Sequence, residues 1–243
     1  MKEYGKRTEG LVSFCFDLNQ SFLLVKLVSR NAKAEIQQRM SDALELKRRG
    51  ADADLSKAIE LQKQAESYLS LGRDTMPSIL LLFLMTKLEA YLEDIAVLIC
   101  HQSPHLIGLG GASTEEETRY EINKLFSKKR LDQIAELFET KFNIPFSETC
   151  KCAEGCTPRE LDKAKAIRNI HVHSQGRVTP NFRKRTGDQS LKDGEFYSIT
   201  IEYLNDLKDK ICLLVWGLDT LATSIYPNLP RSSADISPDD FSS

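Results

Sequence analysis

Leu204, Leu207, Ile211, Leu214, Leu218, Leu221 and Ile225 recur at alternating intervals of three and four. That spacing lays them along one side of an α-helix, as a packing seam, and no strand can serve it. The same period governs most of the chain. Leu84, Leu88, Tyr91, Leu92, Ile95 and Ile99 share a wide face of a helix predicted over residues 76–100, with Pro77 suited to its first turn. Ile122, Leu125, Phe126, Leu131, Ile134, Leu137 and Phe138 continue it through residues 114–140. Residues 11–28 are apolar enough for a buried helix. Residues 31–71 are charge-rich, with a sparse stripe at Ile36, Met40, Leu44, Leu55 and Ile59, and Gly50 with residues 52–54 divides them into two helices.

The fold class is therefore all-α: one helical bundle over residues 1–226, with 30–71 as a helical-hairpin extension. Twelve Gly and eight Pro argue against a many-stranded sandwich. Loops are predicted around Pro104, Gly108, Gly110 and Gly111, and around Pro145 and the cysteines that follow. The polar segment 177–198 has room for at most a short hairpin before the last helix. From residue 227 to 243, Pro, Ser and Asp dominate without period, which predicts a flexible tail. One helix is punctuated at both ends. Thr157, Pro158 and Glu160 supply an N-cap, a first-turn proline and a capping-box carboxylate, and Gly176 is placed to stop it.

Lys plus Arg number 33 and Asp plus Glu 35, a net charge of −2 that excludes wholesale coating of a polyanion and directs attention to local patches. No secretory signal is visible, and the most hydrophobic run, residues 79–85, is far shorter than the ~20 residues of a membrane span. A cytoplasmic protein with no membrane partner is expected, its six cysteines reduced. Cys150, Cys152 and Cys156 offer three thiolates in a short stretch, yet lack the paired spacing of a zinc finger and a nearby fourth ligand. No metal or cofactor is expected, and a zinc-stabilised adaptor is the remaining reading of that cluster. Phosphate loops, nucleophile elbows and dinucleotide fingerprints are all missing from the sequence.

Residues 163–187 carry seven basic side chains and no Asp or Glu. Lys165, Arg177, Arg183, Lys184 and Arg185 are candidates for RNA backbone contacts, and Tyr197 is a candidate base-stacking platform. Inside the block lies Arg168-Asn169-Ile170-His171-Val172-His173. Asn169 and His173 fall about 40° apart on the helix surface, whereas His171 points about 160° away from His173 and is suited to support. Arg168 lies on an apolar stripe and demands an anionic partner, either Glu89, with Glu93 as the next-turn alternative, or a substrate phosphate. A histidine titrates where proton transfer near neutrality is easy. RNA brings its own nucleophile, so one proton removed, one donated and one stabilised charge suffice for backbone cleavage.

Arg168-Asn169-x-x-x-His173, followed by Gly176 and Val178, resembles the signature of HEPN-domain ribonucleases. Leu88-Glu89-Ala90-Tyr91-Leu92-Glu93-Asp94-Ile95 resembles the earlier acidic helix of that superfamily. The resemblance spans about residues 76–225. It implies a helical domain that forms a homodimer and cleaves RNA without metal to a 2′,3′-cyclic phosphate, in toxin–antitoxin or antiviral-defence settings, where an antitoxin or defence partner is expected. It places Arg168, Asn169 and His173 in catalytic positions and Glu89 in a supporting one. Silent relatives also exist, so a non-catalytic helical module binding RNA or a protein partner is the rival expectation.

Overall fold

The computed structural model of the chain describes residues 7–50, 52–70, 72, 75–110, 113–152 and 156–233. Among them are nine α-helices: α1 (Glu9–Arg49), α2 (Asp52–Ser70), α3 (Met76–Gln102), α4 (Glu115–Phe126), α5 (Leu131–Thr140), α6 (Phe146–Cys152), α7 (Pro158–His173), α8 (Pro180–Thr186) and α9 (Ile201–Ile225). The all-α class is as the periodicity demands.

Helix α3 is the axis of the bundle. Leu80, Leu81, Leu84, Met85, Leu88, Leu92, Ile95, Ala96 and Ile99 are all buried, and α1, α4, α7 and α9 pack around it. Beneath it, Phe138 anchors an aromatic knot, with Phe142 at 5.3 Å and Phe146 at 5.7 Å between ring centroids. A second knot ties Arg7, Thr8 and Ser232, near the limits of the described residues, to α9. Buried Asp219 accepts from the Thr8 amide and hydroxyl, Arg7 lies 4.0 Å over the Trp216 ring, and the Ser232 amide donates to the Arg7 carbonyl at 2.7 Å.

Three expectations are corrected. Helix α1 runs unbroken through residues 29 and 30. It buries only one side, with Leu11, Phe14, Leu18 and Phe22 inward and Phe16, Leu23, Leu24 and Leu27 in solvent. By length and composition it is the one helix among the described residues apolar enough to cross a membrane. Residues 114–140 split into α4 and α5 because Lys128 takes a left-handed backbone at φ 62°. Residues 227–233 are not a free tail: Leu229 is 3% exposed and the Asn228 carbonyl accepts from Gln102. One apolar anchor has no period to betray it. Residues 234–243 lie outside the described residues.

Two short helices went unpredicted. α6 replaces the loop at Pro145, and α8 sits inside segment 177–198, closed by a single antiparallel bridge, Arg177 to Phe196, rather than a ladder. The extension is an antiparallel helix pair. Ala43, Ala58 and Ala65 let α1 and α2 approach, with Arg39 and Lys47 donating to Gln64 and Gln62.

Where α9 crosses α6, Gly217 faces Thr149, and an added Cβ would collide with the threonine Cγ2. Thr149 is fixed by its hydroxyl donating to the Pro145 carbonyl at 3.0 Å. Gly217→Ala should therefore lower the unfolding free energy by about 1–2 kcal/mol despite alanine's better helix propensity. Adding Thr149→Ser, which removes the colliding methyl, should restore it in urea titrations.

Candidate active site

Helix α7 is built as its sequence punctuation demands. Thr157 and Glu160 form a reciprocal capping box around Pro158. At the other end Gly176, at φ +74°, returns its amide to the Ile170 carbonyl at 3.0 Å. A side chain there would meet the His171 and Phe196 rings, so the turn requires glycine. Between these stops α7 lies against α3, and that contact brings the central residues together.

Arg168 donates from both terminal nitrogens to Glu89, at 3.1 and 3.3 Å, and Lys165 reaches the same carboxylate at 2.6 Å. All three are half-buried, with side chains 15%, 28% and 17% exposed for Arg168, Glu89 and Lys165. Two cations thus share one anion, and a unit of positive charge stays uncompensated where solvent screens it poorly. The Arg168 Nε is buried with no hydrogen-bond partner. Glu93, the alternative partner, turns instead to Arg119 at 3.7 Å, alongside Asp94 at 2.8 Å.

Asn169 is half-buried and His173 exposed, both on the solvent side of the last turns of α7. Neither makes a hydrogen bond or ion pair among the described residues, so both are available to a ligand. Val172, the neighbour of His173 in sequence, is exposed, as are Ile79 and Leu82 of α3.

His171 faces the opposite way. Its Nε2 lies 2.9 Å from the Tyr197 carbonyl, and its Nδ1 lies 2.8 Å from the Ser78 hydroxyl. A carbonyl can only accept, so Nε2 carries the proton and Nδ1 accepts from Ser78. Phe196 stands edge-on to the ring at 5.6 Å. The ring thus locks the end of α7 to α3 and to segment 194–199, two residues from His173.

The remaining candidates are largely occupied. Arg177 donates to the Gly194 carbonyl, Arg183 pairs with Asp193 at 2.9 Å, and Arg185 grips Asp162 with two hydrogen bonds. Tyr197 is half-buried with its ring against Phe182, which suits packing rather than base stacking. Lys184 and Arg177 are the exposed members of that group. Burial would raise the Asp162 pKa, but the Arg185 hydrogen bonds and charge hold it below the usual carboxylate range. Cys150 and Cys156 are buried and unbridged, and burial pushes both thiols up, Cys156 to about 12. The Cys152 side chain lies outside the described residues, among which no three His, Cys, Asp or Glu side chains gather as a metal site. Comparison with family models, curated proteins and solved structures finds no match.

Burial outweighs the Tyr197 contact and lowers the His171 pKa below the ordinary 6.5. The unfolded chain then binds the proton more tightly, so the His171 contribution to stability is complete above pH 6.5 and declines as pH falls below it. Nitrogen-15 NMR should show the Nε2–H tautomer at neutral pH, with titration below 6.5. The His171→Gln protein should lose that segment of the pH–stability curve.

Proposed function

We propose that the protein is a metal-independent endoribonuclease of the HEPN type, acting as a homodimer. The observation that carries this reading is the half-buried trio of Lys165, Arg168 and Glu89, with one positive charge in excess, on the same helix as the unengaged Asn169 and His173. A site with one positive charge in excess favours an anionic ligand, and a phosphodiester supplies that charge.

His173 takes the proton of the RNA 2′-hydroxyl, whose oxygen attacks the adjacent phosphorus while the bond to the 5′ oxygen breaks. A second imidazole, from the other copy, returns a proton to that leaving oxygen. The products are a 2′,3′-cyclic phosphate and a 5′-hydroxyl end. Arg168, aimed by Glu89, stabilises the charge that builds on the phosphoryl oxygens, and Asn169 orients the ring or an oxygen. Exposed Val172, next to His173 in sequence, offers apolar surface for the second copy. A toxin or defence role is part of the same proposal, because unrestrained RNA cleavage harms the cell that makes it.

The bidentate Arg168–Glu89 pair also favours a second reading, a silent module that keeps the pair for architecture and binds RNA or protein. Incubation with mixed RNA in EDTA separates the two. The wild type should cut and leave cyclic phosphate ends, and His173→Ala, at an exposed position, should cut about 10²–10⁴-fold more slowly with its fold intact. Wild-type protein that leaves RNA whole contradicts the nuclease reading.

A further inference from the structure

At the N-terminal end of α7, a groove of about 460 Å³ opens between the first turns of α5 and α7 and the end of α8. Its wall carries Arg130, Arg159, Lys163 and Arg185 against Asp132, Glu160 and Asp162. The carboxylates are spoken for. Asp132 pairs with Arg130, Asp162 with Arg185, and Glu160 is turned back onto the Thr157 amide and hydroxyl as the helix cap. Arg159 and Lys163 are exposed and form no ion pair or hydrogen bond among the described residues. Lys163 stands near enough to Asp188 to help hold that carboxylate low, while Asp188 itself accepts from the Ser190 amide and hydroxyl.

We propose that this groove is a second phosphate-binding subsite, which takes the backbone of the single-stranded RNA at a distance from the bond being cut. The inference rests on the ribonuclease reading and extends it to the path of the substrate. Two uncommitted cations in a concave wall are the feature a phosphodiester strand exploits. The groove is also joined to the site, because Lys165 of the central trio donates to the Lys129 carbonyl at 3.4 Å, next to Arg130. Along α7, Lys163 and Arg159 precede His173 by about 15 and 21 Å at 1.5 Å per residue. A strand crossing the 128–130 loop would therefore place backbone several nucleotides from the reacting linkage into the groove. Arg183 and Arg185, downstream of the motif, do not provide this grip, since they are held by Asp193 and Asp162.

The test is fluorescence anisotropy with a 2′-O-methyl RNA strand of about 12 nucleotides, within the span of ordinary single-strand sites and unable to be cut. Arg159→Ala/Lys163→Ala should bind about 25-fold more weakly at about 0.1 M salt, with a salt slope shallower by about 1.4, as loss of two phosphate contacts requires. Lys33→Ala, exposed on the distant hairpin, should bind as wild type does. Circular dichroism checks the fold, with Arg159→Gln/Lys163→Gln in reserve. A double variant that matches the wild type in affinity and slope overturns the groove alone. So does displacement of the strand by equimolar inorganic phosphate, which marks an isolated phosphate site. A wild type that binds no strand overturns the groove together with the reading beneath it.

Discussion

The Glu89 carboxylate sits between two helices and answers to two cations. Arg168 and Lys165 both come from α7, and Glu89 from the buried axis α3, so the pair of contacts sets how α7 is rolled against the bundle. Because one anion cannot neutralise two cations, the arrangement is electrostatically unfinished at its solvent side. A buried ion pair kept only for architecture would balance its charge, as Asp162 and Arg185 do on the far side of the same helix. On α7 the balanced pair and the unbalanced trio thus differ in net charge.

The rest of the structure serves the aim of that helix. Its start is fixed by the Thr157–Glu160 box, and its end by the Gly176 turn and by His171 clamped between Ser78 and Tyr197. Asn169 and His173 are left on the face that the clamps do not use. The fold thus spends two of the tandem ring positions differently: His171 is neutral and packed, His173 is in water. Rigidity behind the site and exposure at its front are the combination a group needs to move a proton at a fixed place.

Much of this was legible in the residues. Periods of three and four mark α3 and α9 because those helices bury broad apolar faces, and the Thr157-Pro158-x-Glu160 and Gly176 punctuation locates α7 at both ends. Glu89 is one of the Arg168 partners that angular position offers, beside Glu93 and a substrate phosphate, and the fold pairs the arginine with it. Less visible were features made by single side chains or by tertiary context. Leu229 holds residues 227–233 with no pattern, α8 is too short for a period, and a lone left-handed Lys128 divides α4 from α5. The basic block misled in detail, since sequence shows charge but not which cations are already paired: Arg183 and Arg185 are, whereas Arg159 and Lys163 are not. The outer face of α1 is exposed because only one side of that helix meets the bundle, a fact that density of apolar residues conceals.

The dependence of Arg168 on Glu89 is the centre of this account, and a double-mutant cycle measures it. Single-turnover RNA cleavage in EDTA would be compared for wild type, Glu89→Gln, Arg168→Ala and the double variant. If Glu89 acts by aiming Arg168, the double variant should cut no more slowly than Arg168→Ala alone, so that the two losses fail to add. Losses that multiply, or Arg168→Ala protein that cuts at the wild-type rate, would contradict it.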